Sequence, residues 1–548
     1  MVLSMLLIEK RDGLARIARL KVNDEFDGEF ETPLLIDFLR DEFVKIVNSM
    51  DFGLAPYPIK ELDFGRYKIL GSKDKNFVIL TGLKALQSKK LVEVFCNLSN
   101  QDSPKPIYTP AFADPINLPL LIYLGVDIVD NIIPIIEAYK GSYYTNEAKL
   151  DVKTLKELPC NCPFCREGIE KLKEVEYAER SRLIALHNTE VMRSQMKLIK
   201  EMIWGENFRN FVEARIKLIP DLTVILRLAD EKNCGYKFHS AFKKSRVYFN
   251  TIESFNRPEL KLFFERAFKV YKPQTKTLLI LPCTAKKPYL LSKTHSIIRA
   301  KCKIRVNEII VSSPLVVPRE FELVYPAINY DTPVTGHWSG EEIAFVAEKL
   351  RRFVEKGNFE KVVAHVDGGY KRVVERALKD YDVEFTSDGN VLSNTSLSNL
   401  RRALEDRNEK FDLYNAMFEH MVEYQFGIEL TLESRSKRIK GKYPNLELLS
   451  DERVARVDTI YGILDIYYPL ARFLVESNVY SVKIAEFEPK GTIFAVGVEE
   501  ADSNIRPNDV VAFYNDRILG VGRAYMSGEE MVKAKGGVAI VVKRKWAE

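Results

Sequence analysis

The sequence predicts a chain of several domains, mostly of the α/β class, with a small all-β unit at its C-terminal end. The chain has 548 residues, whereas single hydrophobic cores stop growing beyond about 250–300 residues. Hydrophobic residues make up 46% of it, enough to bury several cores. Strand-like and helical stretches alternate over most of the length, but residues 471–548 consist of short strand-like runs and turns.

Composition limits the classes of function. Lys and Arg number 82 against 77 Asp and Glu, a net charge of +5, so a nucleic-acid surface must be a local patch. Seven cysteines in so long a chain do not suggest a disulfide framework, and a reducing cytoplasm fits better. The apolar stretch Met1–Ile8 is too short to cross a membrane, and charged residues follow at once. We therefore expect neither a signal peptide nor a membrane anchor.

A metal site is the strongest signal in the residues themselves. Cys160, Cys162 and Cys165 lie within six residues, and His187 follows inside a predicted long helix. Three thiolates and one imidazole complete a tetrahedron around Zn²⁺ and leave no open position, which is typical of a structural site. The alternative is a group of reduced cysteines without metal.

A second signal is a cysteine in a loop that suits chemistry. Thr277–Leu281 is a short apolar strand that Pro282 ends, and Tyr289–Ala300 has the composition of a helix. Cys283 therefore lies in a strand-to-helix loop, where open α/β sheets bind ligands and the next helix presents its positive end. The neighbouring Lys286 and Lys287 add positive charge, which favours the nucleophilic thiolate.

Acid/base groups follow at helical spacing. Tyr289, Ser292 and His295 recur at every third residue and would share one broad helix face. Spacing alone also fits a purely structural interpretation, in which Cys283 is a small buried residue that ends a core strand and His295 lies on the surface.

Two further loops have residues that suit a flat ligand. The stretch 333–340 contains His337 and Trp338, and the stretch 361–370 contains His365, Gly368 and Gly369. Glycines let a backbone approach a ligand closely, and the rings could stack on a flipped base. Turn glycines with incidental polar neighbours are the alternative. Because strands and helices alternate here, we expect a doubly wound sheet with all three loops at one edge.

The signature of the Cys283 region resembles a known family. Pro282-Cys283, Lys287-Pro288-Tyr289, Ser292 and His295 match every position of the motif of the archaeosine synthase alpha subunit family. The resemblance implies that the substrate is tRNA carrying 7-cyano-7-deazaguanine in its D-loop. It also implies addition of an amine to the nitrile. For that reaction the chemistry of the side chains predicts Cys283 as nucleophile, Lys287 favouring the thiolate, and His295 deprotonating the amine. Ser292 would orient that base, and Tyr289 would protonate the nitrile nitrogen.

The N-terminal part resembles the tRNA-guanine transglycosylases, to which that family is related. The resemblance lies in 15–20, in 125–131, and in 183–188 beside the zinc ligands. A (β/α)₈ barrel typically needs about 250 residues, but only 159 precede Cys160, and an Asp-Ser-Gly-Gly base-recognition stretch is absent. We therefore expect a degenerate TIM-barrel-like domain without a base-exchange nucleophile.

The C-terminal part resembles a PUA domain, an RNA-binding β-barrel, through 506–511, 520–524 and 526–531. Arg523 within it is a candidate RNA contact. Before it lies a basic run of five cations in eight residues, either a solvated face or a set of phosphate contacts: Arg435, Lys437, Arg438, Lys440 and Lys442.

The predicted domains are a transglycosylase-like domain with the zinc site at 1–228, a central α/β catalytic domain at 229–405, a small basic α+β linker domain at 406–470, and the PUA domain at 471–548.

Three functions compete at this stage. The first is a transferase that adds an amine to the tRNA-borne nitrile; the others are a base-exchanging transglycosylase and a noncatalytic tRNA-binding subunit. By resemblance lysine is the favoured amine donor, with glutamine and ammonia left open, and a radical S-adenosylmethionine enzyme is the expected partner. We expect a cytoplasmic protein that binds tRNA and no membrane. The sequence leaves homo-oligomerisation open.

Overall fold

The computed structural model describes residues 5–21, 29–39, 78–99, 105–334, 337–405, 411–430 and 437–547. The chain divides into two compact units. The first comprises Met1–His239, Pro489–Pro507 and Ala524–Val541. The second comprises Ser240–Glu488, Asn508–Arg523 and Val542–Glu548.

The N-terminal part of the chain contains short strands and amphipathic helices. In chain order these are β1 (Met5–Asp12), β2 (Ala15–Lys21), β3 (Glu29–Thr32), β4 (Leu34–Ile36), β5 (Val78–Ile79), α1 (Ser88–Ser99), β6 (Ile107–Thr109), α2 (Leu118–Tyr123), β7 (Ile128–Asp130), α3 (Ile132–Tyr139), β8 (Ser142–Tyr144), β9 (Lys149–Asp151), α4 (Gly168–Glu174), α5 (Tyr177–Trp204), α6 (Phe208–Arg215) and α7 (Pro220–Glu231).

The central part alternates buried strands with helices and then forms a small antiparallel sheet. Its elements are β10 (Val247–Tyr248), α8 (Pro258–Val270), β11 (Thr277–Pro282), α9 (Lys293–Cys302), β12 (Asn307–Val311), β13 (Val316–Pro318), β14 (Tyr330–Asp331), α10 (Gly340–Gly357), β15 (Lys361–Ala364), α11 (Gly368–Ala377), β16 (Val383–Phe385), α12 (Asn394–Ala403), α13 (Leu413–Phe426), β17 (Arg438–Lys442), β18 (Asn445–Leu449), β19 (Arg453–Asp458), β20 (Ile463–Ile466) and α14 (Tyr468–Glu476).

The C-terminal part is mostly strand, as predicted. Its elements are β21 (Ser481–Ile484), β22 (Thr492–Phe494), β23 (Val498–Ala501), β24 (Val510–Asn515), β25 (Ile518–Ala524), α15 (Gly528–Lys533) and β26 (Val538–Ala547). β24 pairs with β21 in parallel and with β25 antiparallel, and β22 pairs antiparallel with β26. The sequence missed β23 and the short helix α15.

The first unit contains a parallel sheet in the order β4-β7-β6-β5 and an antiparallel sheet β1-β2-β3. Residues 5–8 of the apolar N-terminal stretch belong to strand β1, which pairs with β2. Its largest core packs α1 and α7 beside the parallel sheet through residues such as Leu91, Phe95 and Leu226. This is an α/β architecture, as expected. A closed barrel is not seen in the described residues and stays a prediction.

The second unit is built around a five-stranded sheet in the order β13-β12-β11-β15-β16. Strands β12, β11, β15 and β16 are parallel, and only the edge strand β13 runs antiparallel. The chain goes from β11 to β12 on one side and later returns to β15 on the other. The sheet is therefore doubly wound, as predicted, and β11 lies at the switch point where such sheets bind ligands.

Helices cover both faces of this sheet. On one face Leu279 and Val363 pack against Ile298 of α9 and Leu397 of α12. On the other, α10 packs against α11 and α8. Every residue of β11 is buried, which explains its continuous apolar run.

Two cysteines of the first unit depart from the sequence-based expectation of reduced thiols. Cys96 in α1 and Cys234 after α7 are joined by a disulfide, although 138 residues separate them. The packing of α1 against α7 brings them together. Such a pairing depends on tertiary structure and could not be predicted from cysteine spacing.

None of the helices within the described residues has both the length and the apolar composition that crossing a bilayer requires.

Candidate active site and metal centre

The predicted zinc ligands come together in the first unit. The sulfur atoms of Cys160, Cys162 and Cys165 and one ring nitrogen of His187 all lie within 4.8 Å of one another. His187 Nδ1 is 3.3 Å from Cys165 Sγ and 3.5 Å from Cys162 Sγ. Three sulfurs and one nitrogen at these distances fit the ligand set of a closed tetrahedral Zn²⁺ site.

A hydrogen bond and a stacking contact fix the orientation of the imidazole in this cluster. His187 lies in α5, a helix of 28 residues, and its Nε2 donates to the carbonyl oxygen of Tyr144 at 2.8 Å. The ring of Tyr143 stacks on it at a centroid distance of 3.8 Å. Burial lowers the pKa of His187 to about 4, so the ring is neutral and Nδ1 can donate its lone pair to a cation.

The predicted catalytic region surrounds a cavity in the second unit. Its volume is about 410 Å³. Residues from all three predicted loops line it, together with residues that follow β12 and β14: Pro282, Cys283, Thr284, Thr294, Ser313, Thr332, Pro333, Val334, His337, Trp338, Glu342, Asp367, Gly368, Gly369, Tyr370 and Val391. The prediction that the three loops share one edge of the sheet is confirmed.

Cys283 follows the switch-point strand directly and is half-buried. Its backbone N–H donates to the carbonyl oxygen of Val311, which extends the pairing of β11 with β12 by one residue. Its sulfur lies 3.2 Å from the hydroxyl oxygen of Tyr370, a contact that the sequence did not predict. Burial, reinforced by the Cys283 sulfur, raises the pKa of Tyr370. Tyr370 is therefore held as the neutral phenol.

An aromatic wall with a glycine gap forms one side of the cavity. The rings of Trp338 and Tyr370 meet edge to face at 5.2 Å. A Cβ atom at Gly369 would lie 2.4 Å from Trp338 Cδ1, so the ring of Trp338 fits only because residue 369 has no side chain. Gly368 has a φ of +53°, which also favours glycine. His337 lines the same cavity from an exposed position.

Lys287 lies close to the sulfur but is oriented by an aromatic ring. Its ammonium group lies 4.1 Å from the ring centroid of Tyr330. Burial lowers the pKa of Lys287, while the Cys283 sulfur and Asp331 act in the opposite direction. The role of Lys287 in this chemistry stays a prediction.

The helix predicted at Tyr289–Ala300 begins later than expected, because Tyr289–Leu291 is a 3₁₀ turn and α9 starts at Lys293. Ser292 is the N-cap of α9, and its hydroxyl accepts from the backbone N–H of His295 at 3.2 Å. Tyr289 is fully buried, and its hydroxyl pairs with that of Tyr330. Neither Ser292 nor Tyr289 lines the cavity. Their predicted roles in orienting a base and protonating the nitrile do not fit this geometry.

His295 requires the same correction. Its Nε2 donates to the carbonyl oxygen of Pro282 at 2.9 Å, and its Nδ1 accepts from the guanidinium of Arg319 at 2.8 Å. The side chain is 0% exposed. Burial and the charge of Arg319 lower its pKa to about 3. A buried imidazole with both nitrogens bonded cannot deprotonate an amine in the cavity; it instead fixes the backbone just before Cys283.

This burial predicts a pH dependence for His295→Gln. In the unfolded chain the imidazole has a pKa near 6.5, whereas the folded value is about 3, so the unfolded chain binds more protons between these values. The wild type should lose stability as the pH falls below about 6.5, by up to about 1.4 kcal/mol per pH unit, and glutamine removes this slope. Urea unfolding near pH 7 and near pH 5 measures both proteins. All other titratable groups contribute equally to the pH dependence of both proteins. An equal loss of stability between pH 7 and pH 5 in wild type and variant would therefore contradict the buried neutral imidazole.

His365, a predicted substrate contact, is likewise a structural residue. Its Nδ1 pairs with the hydroxyl of Thr386 at 2.8 Å, and its Nε2 donates to the carbonyl oxygen of Val391 at 2.7 Å. The side chain is fully buried, and burial lowers its pKa. His365 therefore supports the loop after β15 and does not reach the cavity. Glu342 and Asp367, which the sequence did not single out, do line it.

The candidate RNA contacts divide into three groups. Arg435 lies outside the described residues. Arg523 stacks on Tyr461 at 3.7 Å and donates to the carbonyl oxygen of Asn508, and Lys437 pairs with a glutamate, so both are engaged within the second unit. Arg438, Lys440 and Lys442 are exposed on the edge strand β17. They alternate along the strand and so share one face.

Comparison with known proteins gives four matching domain families. A domain of unknown function matches residues 260–404, a pre-PUA domain matches 411–475, a queuine tRNA-ribosyltransferase domain matches 67–221, and a PUA domain matches 481–545. The Cys283 cavity thus falls mainly within the domain of unknown function, and the zinc ligands fall within the ribosyltransferase match.

Several relatives match most of the length of this chain. The archaeosine synthase subunit alpha of Methanosarcina acetivorans is 34% identical, over 86% of this chain and 80% of its own length. The archaeosine synthase of Haloferax volcanii is 31% identical, over 92% and 87%. The tRNA-guanine(15) transglycosylase of Methanosphaera stadtmanae is 24% identical, over 81% and 67%.

The fold, a cluster of three cysteines and one histidine that could hold a metal ion, and the domain matches define the class of protein. It is transglycosylase-related, with an additional cysteine-containing α/β domain and a C-terminal PUA domain. The chain belongs to the archaeosine synthase family.

Proposed function

We propose that this chain is a tRNA-modifying transferase of archaeosine biosynthesis, which adds an amine to the nitrile of 7-cyano-7-deazaguanine in the tRNA D-loop. The observation that carries this proposal is the half-buried Cys283 at the switch point of the central sheet, facing a cavity of about 410 Å³. The aromatic wall of Trp338 and Tyr370 suits a flat base, and there is open space beside Gly368, where an added Cβ would meet nothing within 4 Å.

The chemistry divides into two steps at this cysteine. The Cys283 sulfur attacks the nitrile carbon and gives a thioimidate, and the incoming amine then displaces the sulfur to leave an amidine-type linkage. A covalent intermediate helps because a nitrile is a poor electrophile and a thiolate is a good nucleophile. Lys287, whose positive charge interacts with the Cys283 sulfur, stays a proposed contributor to this step.

Deprotonating the amine is the harder task. An amine with a pKa near 10.4 is neutral only about 0.04% of the time at pH 7, which corresponds to about 4.6 kcal/mol. Since His295 is buried and doubly bonded, we assign the binding of the protonated amine, and the acceptance of its proton, to the carboxylates Glu342 and Asp367 that line the cavity.

The zinc site has a separate, structural role in this proposal. The residues that would hold Zn²⁺ are Cys160, Cys162, Cys165 and His187. A four-ligand site has no position for substrate, so the metal would supply only a fixed shape to the loop and helix that bear its ligands.

The family resemblance favours lysine as the amine donor, with glutamine and ammonia as alternatives, and a radical S-adenosylmethionine enzyme as the partner that completes archaeosine. We place the reaction in the cytoplasm together with its tRNA substrate.

Incubation of cyano-modified tRNA with isotopically labelled amines, followed by nucleoside mass spectrometry, tests the reaction and identifies the donor. A mass gain at the modified nucleoside is expected; release of the base, or no change, would contradict it.

Base exchange, the alternative activity, needs an available aspartate. Asp130, at the end of β7, accepts from the Tyr108 hydroxyl and from the backbone N–H groups of Ala111 and Ile132. It is fully buried, and burial raises its pKa to about 6. Such a saturated carboxyl group is poorly suited to be a nucleophile, which favours amine transfer.

The exposed cations of β17 are the best candidates for phosphate contact. We predict that Lys440→Glu combined with Lys442→Glu weakens tRNA binding and lowers the slope of log K against log salt by about 2, because each phosphate contact releases about 0.9 counterions. Lys379→Glu, at an exposed position of the same unit, is the control for charge alone. Binding titrations over a range of salt measure the slope. An unchanged slope in the double variant would exclude β17 from the interface.

Point variants are better suited to this test than removal of residues 471–548. The segments 489–507 and 524–541 belong to the first unit. There Glu530 forms a buried ion pair with Arg11 at 2.5 Å. Truncation would leave the Arg11 charge buried without that partner, which is strongly destabilising.

A further inference from the structure

The proposed nucleophile contacts a residue that the sequence motif does not contain. Tyr370 is the third residue of α11, and its hydroxyl oxygen lies 3.2 Å from Cys283 Sγ, a distance at which either atom can donate. Its ring is held edge to face by Trp338 and lines the cavity. The hydroxyl therefore contacts the thiol at the wall of the cavity in which a nitrile would bind.

The first step of the proposed reaction requires two proton transfers, and the position of the Tyr370 hydroxyl suits both. When the thiol adds to a nitrile, a carbon–sulfur bond forms and one π electron pair moves to the nitrile nitrogen. That nitrogen must gain a proton, and the sulfur must lose one. A hydroxyl in contact with both atoms can accept the proton of the sulfur while it donates its own to the nitrogen, so that no charged intermediate accumulates.

We propose that Tyr370 is the catalytic proton relay between Cys283 and the nitrile nitrogen, an inference that rests on the proposed amine transfer. In the first step the relay gives a neutral thioimidate, with the former thiol proton replacing the phenolic one. In the second step the amine nitrogen bonds to the same carbon and the carbon–sulfur bond breaks. The bonding pair then leaves with the sulfur, and Tyr370 passes a proton to it, drawn from the attacking amine through the carboxylates.

The hydroxyl groups of Thr284 and Tyr330 are engaged elsewhere. Thr284 donates to the carbonyl oxygen of Lys286 at 3.1 Å. Tyr330 is buried, donates to Ser312 at 2.5 Å and also pairs with Tyr289. Burial raises the pKa of Tyr370, so its hydroxyl carries a proton before the reaction begins. It can therefore donate that proton to the nitrile nitrogen.

The test compares Tyr370→Phe with wild type in two reactions of the same sulfur. The first is thioimidate formation with cyano-modified tRNA in the absence of amine, followed by intact-protein mass spectrometry. The second is alkylation of Cys283 by iodoacetamide, in which the leaving halide needs no proton. We expect the variant to form the thioimidate about 10²–10⁴-fold more slowly, while alkylation stays close to the wild-type rate. Tyr381→Phe, in the turn after α11, is the control and should match wild type in both.

The possible outcomes separate the inference from the proposed function. Equal thioimidate rates in Tyr370→Phe and wild type would overturn the relay. Parallel loss of thioimidate formation and alkylation would also overturn it, because Tyr370 would then only position or activate the thiol. If wild type forms no thioimidate, the proposed function fails first. If wild type forms it and Cys283→Ala does not, while Tyr370→Phe keeps the full rate, the relay alone is wrong.

Discussion

Cys283→Ala should abolish amine transfer to cyano-modified tRNA while leaving tRNA affinity unchanged. Removing a nucleophile that forms the covalent intermediate costs a factor on the order of 10⁴ or more in rate. Cys283→Ser should be almost as inactive, because a hydroxyl is far less readily ionised than a thiol. Binding should persist, because Cys283 lies in the cavity of the central sheet, whereas the exposed cations proposed to contact phosphate lie on β17. Nucleoside mass spectrometry measures the transfer, and filter binding measures the affinity.

The chain offers a matched control in Cys302, a free and buried cysteine of the same unit. Its sulfur contacts the carbonyl oxygen of Leu397 in the core between α9 and α12. Cys302→Ala should therefore affect stability more than chemistry. Substantial turnover in Cys283→Ala would defeat covalent catalysis and make Cys283 a packing residue.

His187→Ala or Cys165→Ser should remove the bound metal and unfold the loop and helix that bear its ligands. This is the second large effect that we expect. Freshly purified protein should contain about one zinc per chain, since structural zinc sites contribute about 10–16 kcal/mol of apparent binding energy in small peptides. In the first unit, Cys165 belongs to a small core with Tyr143 and Ile184, and His187 contacts Cys165. Losing the metal would therefore leave these thiol and imidazole groups without their common ligand. Metal analysis and hydrogen exchange over residues 142–204 measure both effects.

Cys302→Ser is the control for a cysteine replacement that touches no metal. It should keep the zinc content and the exchange protection of the first unit. Absence of zinc from freshly purified wild type would contradict the site. A zinc-free variant that is folded but inactive would contradict the structural role and point to chemistry at the metal.

Local sequence patterns were sufficient to predict the metal site. The spacing of Cys160, Cys162 and Cys165 constrains a short loop, and His187 lies on a helix long enough to be recognised from sequence. The position of Cys283 was predictable for a similar reason, because a fully buried strand ended by a proline fixes where the loop begins.

The roles of the motif residues were not predictable, because they depend on burial and on partners that are distant in sequence. The environment of His295 is set by Arg319, 24 residues away, and by the carbonyl oxygen of Pro282. Regular spacing suggested a shared helix face, but the helix begins only at Lys293. A motif can therefore include residues that position the nucleophile and never touch the substrate.

The contact between Tyr370 and Cys283 was missed for the same reason. These residues are 87 positions apart, Tyr370 in the helix after β15 and Cys283 in the loop after β11, and only the strand order brings them together. The sequence did contain a usable signal, since Asp367-Gly368-Gly369-Tyr370 follows a buried strand directly. Any polar side chain at that point of a doubly wound sheet is a candidate for the site.

Trapping the intermediate tests most directly whether Cys283 takes the nitrile into a covalent bond. Wild-type protein is incubated with cyano-modified tRNA without any amine, digested with nuclease and protease, and analysed by peptide mass spectrometry. We predict a 7-deazaguanine thioimidate on the peptide that contains Cys283, which disappears when the amine donor is added and the modified nucleoside forms. Amine transfer at full rate with no adduct on Cys283, or an adduct on another cysteine, would contradict the proposed mechanism.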